Sequence, residues 1–450
     1  MKHFSFFILT LMLLASIVQA NSYQSSNNYD LQTQELLNQI QGKRIAILTN
    51  PSCIDSSREL LFDVIFKNQN IYNYTLEYAL APEHGIRGDQ DAGSLVYDYV
   101  DQQTNITVYS LYGIRKQPTV EMLQKVDTIV HCIVDVGTRF FTYIWTMSYA
   151  QEAVGDYNFN LTQKAQFKDI FQINNSQRQL SSYFRDIQNS NTKKEINFIV
   201  VDRPNVLGGQ LIQGCPLEIE SGYIGRLFNQ NFTIPTRYAM TTGELATLFN
   251  EEYLIHKIND LKVIKIPNYN RNSGFPNASL WINPSPNMKT YQTAYVYPGT
   301  GVFEQTNVSE GRGTNNPFQI IGAPFVNGTL ISQILTYDNT VNQYAQFTPV
   351  TFIPTTSKWV NQTCQGVQIT VIDSEKYDSV FVGTRVMQVL LQEYPQNMTL
   401  TQKGSCQEFG TLNFYNQITN KSITVQDILD SCQPNLKEWK KIREKHLIYN

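Results

Sequence analysis

Five apolar segments, four of them followed by a polar motif, constrain the fold of this chain more than any other feature. The segments "VDTIVHCIVDVG" (126–137) and "EINFIVVDRPN" (195–205) have nearly continuous apolar cores, which is typical of strands buried on both faces. Three further strands are predicted at 43–50, 74–80 and 107–113. Helical segments are predicted between the strands, at 57–68, 119–125, 139–153 and within 163–190. This alternation predicts an α/β fold with a parallel sheet covered by helices.

The polar motifs come directly after the predicted strands. "PEHGIRG" follows the second strand, "YGIRKQPT" the third, "DVGTRFFTY" the fourth and "DRPNVLGG" the fifth. Ligands of open α/β sheets bind beyond the carboxyl ends of the strands, so we expect these motifs to converge on one crevice. The glycines of the first motif let the backbone turn sharply beside such a site. The alternative is a set of solvated loops with good turn residues.

The composition and the hydrophobic periodicity of the sequence change near residue 269. Pro and Asn become frequent and regular periodicity fades, while a strand at 366–373 and a helix at 383–394 are still predicted. We therefore expect one domain at 21–268 and a smaller α+β domain at 269–450. The Gly-rich loop at 309–314 is a candidate wall of the crevice.

The amino-terminal residues predict a secretory signal peptide at 1–20. Lys2 and His3 precede an apolar run, and Val18-Gln19-Ala20 suits a cleavage site after Ala20. Several Asn-X-Ser/Thr sequons and an even number of cysteines, 6, agree with an exported glycoprotein. We expect a disulfide between Cys406 and Cys432, and we expect Cys132 to be a buried thiol.

Several classes of function are disfavoured by the sequence. A net charge of -3 gives no sign of a nucleic-acid partner. No stretch after the signal peptide approaches the ~20 apolar residues that a membrane helix needs, so we expect no stable membrane insertion. The chain lacks GxxxxGK[ST], GxGxxG, HExxH and CxxC motifs, which disfavours a nucleotide enzyme or a zinc protease. We expect neither a cofactor nor a metal.

The motifs, in this order, resemble the exo-β-N-acetylmuramidase family typified by bacterial NamZ. "PEHGIRG", "DVGTRFFTY", "DRPNVLGG", "PSPNM", "YPGTG" and "SEGRG" carry the resemblance, which covers most of the chain from about residue 43. It implies a Rossmann-like domain, a smaller carboxyl-terminal domain and a catalytic cleft between them. It also implies removal of terminal β-linked N-acetylmuramic acid from the non-reducing end of peptidoglycan fragments. From the predicted signal peptide we expect this activity outside the cell or in a lysosomal or phagosomal lumen.

Two alternatives stay open, because the chain departs from the family pattern. Cys132 and Val134 stand where an Asp and a Gln are usual, Val206 replaces a Pro, and Tyr238-Ala239 replace His-Gly. A non-catalytic glycan-binding protein on the same scaffold is one alternative. A glycosidase for another N-acetylated sugar is the other.

Glycoside hydrolases mostly use two carboxyl groups, one as acid and the other as base or nucleophile. Glu83 is the first candidate for the acid, because it lies in a Pro-Glu-His-Gly turn at a strand end. A base or nucleophile role fits Glu83 better if His84 or Arg87 points at it. Glu152 and Glu310 are the candidates for the second carboxyl group, with Glu304 and Asp135 as further options.

Candidate substrate contacts come from the same motifs. Arg139 and Arg312 suit a lactyl or peptide carboxylate, because a guanidinium binds carboxylates bidentately. The full set of predicted contacts is His84, Arg87, Tyr112, Asp135, Arg139, Tyr143, Asp202, Arg203, Asn205, Asn287, Glu304 and Arg312.

Overall fold

The computed structural model describes residues 29–88, 90, 96–167, 194–272 and 281–450. The predicted signal peptide at 1–20 and most of the helical segment predicted within 163–190 lie outside the described residues. So do Asp89, Asp91 and Gly93, which follow the first polar motif.

The larger sheet has seven strands in the order β3-β4-β2-β1-β5-β6-β7. Every neighbouring pair is parallel except β3 and β4. Without β3, the order of the parallel strands is that of the Rossmann fold, so the predicted parallel sheet is confirmed. The strands are β1 (Arg44–Thr49), β2 (Thr75–Ala81), β3 (Tyr99–Val100), β4 (Thr107–Ser110), β5 (Thr128–Cys132), β6 (Asn197–Val201) and β7 (Leu261–Ile264).

Strands β5 and β6 are buried almost throughout, as their continuous apolar runs predict. Side chains of a strand point alternately to its two faces. Ile129 and Phe198 accordingly enter the core on one face of the sheet, whereas Val130 and Ile199 enter the core on the other. The sheet is therefore the middle layer between two apolar cores.

Helices pack on both faces of this sheet. The helix predicted at 57–68 begins later, at Leu61, and the helix predicted at 139–153 begins at Tyr143. None of the helices in the described ranges is long and apolar enough to cross a membrane. The helices are α1 (29–39), α2 (Leu61–Tyr72), α3 (Val120–Leu123), α4 (Tyr143–Phe167) and α5 (Thr242–Leu248).

The second part of the chain has an antiparallel sheet of three strands in the order β8-β10-β9. The predicted strand at 366–373 is β10, and the predicted helix at 383–394 is α8, so the α+β character is confirmed. The strands are β8 (Ile320–Ala323), β9 (Ala345–Phe352) and β10 (Cys364–Val371). The helices are α6 (Tyr291–Thr300), α7 (Gly328–Tyr337), α8 (Ser379–Glu393), α9 (Gln402–Phe409), α10 (Phe414–Thr419), α11 (Val425–Asp430) and α12 (Gln433–Glu444).

The segment after α11 returns to the first domain. Arg443 donates to the backbone carbonyls of Gly209 and Ala239 at 2.7 and 2.6 Å. His446 lies 2.9 Å from Glu252, and the Tyr449 hydroxyl donates to Asp202 at 2.6 Å. We call residues 443–450 the carboxyl-terminal tail.

Two disulfides correct the cysteine predictions. Cys53 pairs with Cys132, and Cys215 pairs with Cys432, whereas Cys406 is a buried free thiol. The predicted Cys406–Cys432 bond is wrong because the start of α12 packs against residue 215 of the first domain. The prediction that Cys132 is a free thiol is also wrong, because the segment after β1 brings Cys53 beside the end of β5.

Candidate active site

A pocket of about 330 Å³ lies between the segments that follow β2, β4 and β5 and the facing segments of the second domain. Its volume is within the range of small-molecule sites. It is lined by Glu83, Tyr112, Phe140, Phe141, Thr142, Ile224, Ser285, Asn287, Met288, Tyr297, Glu304, Arg312, Phe318 and Glu408. Three glutamates thus share one small space with aromatic rings.

Glu83 reaches the pocket from a tight turn at the end of β2. His84 has a φ of 73° and Gly85 a φ of 78°, a left-handed conformation that is uncommon for a residue with a side chain. The buried His84 ring is held by the Gln90 carbonyl, 2.9 Å from Nδ1. The turn therefore fixes the direction of the Glu83 side chain.

Two hydroxyl groups form hydrogen bonds with the Glu83 carboxyl group. Thr142 Oγ1 donates to it at 2.9 Å. Burial raises the pKa of Tyr112, and the charge of Glu83 and a hydrogen bond to it raise that pKa further. Thr142 directly precedes α4, and the positive end of a helix dipole favours a negative charge. These groups supply hydrogen bonds that the oxygens of Glu83 accept.

Arg87 is engaged on the outer side of the same turn. Its guanidinium donates to Asp63 at 2.8 Å and to Asp101 at 2.6 Å. It thereby ties the turn to α2 and to the connection between β3 and β4. Neither Arg87 nor His84 is among the residues that line the pocket.

The Gly-rich loop at 309–314 forms a wall of the pocket through Arg312. Arg312 donates to Glu304 at 2.5 Å and lies 3.2 Å from Glu310. Glu310 is almost fully buried and also pairs with Lys358 at 2.8 Å. Burial raises the pKa of Glu304, and Arg312 opposes this shift. Glu304 and Arg312 line the pocket, whereas Glu310 supports them from behind.

Glu408 is a pocket residue that sequence reasoning missed. It lies on α9, is 3% exposed, and accepts a hydrogen bond from Gln305 at 3.3 Å. Burial and the neighbouring Glu304 raise the pKa of Glu408 to about 8. Its sequence context, "SCQEFG", belongs to none of the recognised motifs, so no local signal distinguishes it from other helical glutamates.

Arg139 lies beneath the pocket and is fully buried. It donates to the backbone carbonyl of Ile224 at 2.8 Å and to that of Glu408. Burial lowers the pKa of Arg139 to about 10. Its guanidinium therefore holds the second domain rather than facing the pocket.

Asp135 and Tyr143 lie deeper in the protein. Asp135 accepts from the Tyr238 hydroxyl and from the Gly137 amide, the latter at 2.8 Å. Burial raises the pKa of Asp135 to about 7. The Tyr143 hydroxyl donates to the Pro284 carbonyl, which ties the start of α4 to the segment before α6.

Glu152, which lies on α4, forms an ion pair with Arg226 at 2.7 Å. It does not line the pocket. Among the carboxyl groups predicted for catalysis, Glu83 and Glu304 line the pocket, whereas Glu152, Glu310 and Asp135 do not.

The "DRPN" motif lies under the carboxyl-terminal tail. Asp202 accepts from Thr241 and from the Gly243 amide, both at 2.7 Å, as well as from Tyr449. Arg203 donates to Gln32 at 2.8 Å, and Asn205 donates to the Met240 carbonyl at 2.8 Å. All three motif side chains are buried.

The pocket thus brings together five of the predicted site residues, namely Glu83, Tyr112, Asn287, Glu304 and Arg312. The other predicted residues lie in surrounding networks: His84, Arg87, Asp135, Arg139, Tyr143, Glu152, Asp202, Arg203, Asn205 and Glu310. The "DVGTRFFTY" motif could have indicated three further pocket residues, because it contains Phe140, Phe141 and Thr142.

Comparison with known proteins gives consistent matches. The family "Exo-beta-N-acetylmuramidase NamZ" matches with its N-terminal part at residues 45–292 and its C-terminal part at 295–449. The peptidoglycan beta-N-acetylmuramidase NamZ of Bacillus subtilis (strain 168) is 35% identical, over 98% of both chains.

Two crystal structures of DUF1343 family proteins from Bacteroides fragilis NCTC 9343 share the fold. The first has a TM-score of 0.75 and 27% identity, and covers 94% of this chain and 98% of its own. The second has a TM-score of 0.66 and 24% identity, and covers 93% and 97%.

Proposed function

The chain belongs to the exo-β-N-acetylmuramidase NamZ family, a family of glycoside hydrolases, and from this premise we propose that it removes terminal β-linked N-acetylmuramic acid from the non-reducing end of peptidoglycan fragments. Its partners in this proposal are peptidoglycan-derived muramyl saccharides.

The observation that carries the proposal is the set of carboxyl groups in one small pocket. Glu83 and Glu408 come from different domains and line the same space of about 330 Å³. Most glycoside hydrolases use two carboxyl groups with different protonation states. A space of this size suits one terminal sugar better than the middle of a glycan strand, which supports exo action.

Arg312 supports the choice of a muramyl sugar. It is the only cationic residue among those that line the pocket in the described part of the chain. N-acetylmuramic acid carries a lactyl carboxylate, and N-acetylglucosamine does not. Arg312 donates through Nη2 to Glu304 and lies against Glu310 through Nε, which leaves its Nη1 group to favour the sugar that bears this negative charge.

Export is part of the proposal. The predicted signal peptide at 1–20 suggests it, and the Cys53–Cys132 and Cys215–Cys432 disulfides suit an oxidising compartment. We propose that the enzyme acts outside the cell or in a lysosomal or phagosomal lumen.

A pair of chromogenic substrates tests the function. Purified protein should release para-nitrophenol from the para-nitrophenyl β-glycoside of N-acetylmuramic acid and much less from the N-acetylglucosamine analogue. Turnover of the glucosamine analogue alone would favour a glycosidase for another N-acetylated sugar. Binding of muramyl sugars without turnover would favour a non-catalytic glycan-binding protein.

A further inference from the structure

We propose that Glu408 is the general acid of the reaction, carried into the pocket by the second domain and positioned by Arg139. This inference rests on the proposed function and assigns the second carboxyl group, which the sequence left open among Glu152, Glu310, Glu304 and Asp135.

The first argument is position. Glu152, Glu310 and Asp135 do not line the pocket, whereas Glu408, Glu304 and Glu83 do. Glu304 is held in an ion pair by Arg312 at 2.5 Å, so Glu408 is the lining carboxyl group that remains. Glu408 lies in the last turn of α9 and is 3% exposed. A carboxyl group that is buried in the protein but borders a cavity meets the substrate out of bulk water.

The second argument is charge. Among the described residues, Glu408 forms no ion pair, and the only hydrogen bond to its carboxyl group is from Gln305. Arg312 is engaged by Glu304 and Glu310, and Lys358 by Glu310. Burial and the neighbouring Glu304 favour the neutral, protonated form of Glu408, and they outweigh the opposing charges of Arg139 and Arg312, neither of which forms an ion pair with it. The pKa of Glu408, raised to about 8, agrees with a proton donor at neutral pH.

Glu83 has the opposite environment. Thr142 and Tyr112 direct hydroxyl groups to its carboxylate, and α4 begins beside it. The two carboxyl groups of the pocket therefore have different surroundings, since Glu83 accepts from hydroxyl groups and Glu408 is buried with a single hydrogen bond among the described residues. This division is the requirement for one acid and one base or nucleophile.

Arg139 is the positioning residue. It donates to the backbone carbonyls of Glu408 and Ile224, and it directly precedes the pocket residues Phe140 and Phe141. Gly410 follows α9 with a φ of 108°, and a Cβ atom there would lie 3.2 Å from Arg139 Nη2. The helix end is thus tied closely to the loop that carries Thr142, the partner of Glu83.

The chemical step balances with these groups. Glu408 gives its proton to the glycosidic oxygen, which keeps the electron pair of the broken bond to C1 and leaves as a sugar hydroxyl. Water supplies the oxygen that bonds to C1, and its released proton is taken by Glu83. Exchange with solvent returns both carboxyl groups to their starting states.

Glu408→Gln tests the assignment with two leaving groups. The variant should lose about 10²–10⁴-fold in kcat on the disaccharide of N-acetylmuramic acid linked to N-acetylglucosamine, because a sugar hydroxyl needs a proton to leave. On the para-nitrophenyl substrate it should lose about tenfold or less, because para-nitrophenolate leaves without protonation. Wild-type kcat/KM on the disaccharide should fall above a pH of about 8, whereas on the para-nitrophenyl substrate it should show no such fall.

Controls separate the possible failures. Glu438→Gln, an exposed change on α12, should leave both rates unchanged, and the thermal midpoint of each variant reports its fold. Wild-type protein that turns over neither substrate would refute the proposed function. Wild-type protein that turns over both, with Glu408→Gln losing both equally or neither, would overturn the assignment of Glu408 alone.

The role of Arg139 has its own readout. Arg139→Lys should shift the alkaline limb of the pH–rate profile and lower kcat with little change in KM, because Lys cannot hold two carbonyls in the same geometry. A variant with a lower thermal midpoint but an unchanged pH profile would mean that Arg139 is only structural.

Discussion

The carboxyl ends of β2 and β6 lie on the same edge of one parallel sheet, and each is followed by a motif rich in charge. After β2, Glu83 faces an open pocket that the second domain completes. After β6, Asp202 faces the carboxyl-terminal tail, and Tyr449 fills the space in front of it. We call these places the open end and the filled end of the sheet.

The difference lies in how the charges are satisfied. At the filled end, Asp202 accepts from two threonine hydroxyls, two backbone amides and Tyr449. At the open end, the Glu408 carboxyl group keeps a single hydrogen bond among the described residues. A fully satisfied buried charge stabilises an arrangement, whereas an underpaired one beside a cavity is free for a substrate. Position at the edge of the sheet alone does not make a site.

The largest effect should come from the open end. Glu83→Gln should lower kcat by about 10²–10⁴-fold, because the neutral amide can neither attack nor take a proton. Steady-state rates on the muramyl disaccharide measure it, together with a thermal midpoint close to that of the wild type. Glu77→Gln, on the strand β2 that precedes the Glu83 turn and paired with Arg44 at the surface, is the matched control. A kcat of Glu83→Gln close to that of the wild type would contradict a catalytic role for Glu83, and the open end would then differ from the filled end only in shape.

The disulfide that fastens the start of α12 should give the next largest effect. The double variant Cys215→Ala/Cys432→Ala should lose about 2–4 kcal/mol of unfolding free energy, because it releases a cross-link over 217 residues. Urea unfolding measures the loss. Cys406→Ala removes a buried sulfur from the same domain without a cross-link and is the matched control. Equal losses in the two variants would mean that the tail is held by other contacts.

The filled end should also give stability a pH dependence. Burial raises the pKa of Asp202 from 3.8 to about 6 in the folded protein. The folded state therefore holds this proton more tightly than the unfolded chain, and the resulting stabilisation is complete below a pH of about 4 and lost as pH rises through about 6. The change amounts to at most about 3 kcal/mol.

Unfolding free energies of the wild type and Asp202→Asn between pH 4 and 7 measure this contribution. The wild type should lose stability with rising pH more steeply than the variant, because Asn does not titrate. Parallel curves would show that Asp202 does not titrate in this range.

The smallest effect should come from the tail itself. Tyr449→Phe removes a hydroxyl that donates to Asp202 and accepts from the Ile266 amide at 2.9 Å. We expect a loss of about 1–2 kcal/mol of unfolding free energy, because Thr241 still donates to the carboxylate. Tyr337→Phe, at a site that is 82% exposed, should change stability little. A loss of kcat without a loss of stability in Tyr449→Phe would place the filled end in the catalytic site.

The sequence determined the parallel sheet and the turn that carries Glu83. Strands β1, β2, β4, β5 and β6 are each specified by a local apolar run. The Pro-Glu-His-Gly turn is local as well, so its place at the end of β2 follows from the residues beside it. Order and spacing of the motifs were also sufficient to indicate the family, because these are properties of the chain alone.

The tertiary structure decided which polar groups face the pocket. Glu408 lies 325 residues from Glu83 in the sequence, and no local pattern reports that α9 reaches the same space. The partners of Cys132 and Cys432 depended on distant packing in the same way, and their prediction failed. Asp202 resembled a site residue because its motif ends a strand, but the tail that covers it comes from the other end of the chain. Burial and pairing of a charge depend on every segment packed around it, so they become defined only when the chain has folded.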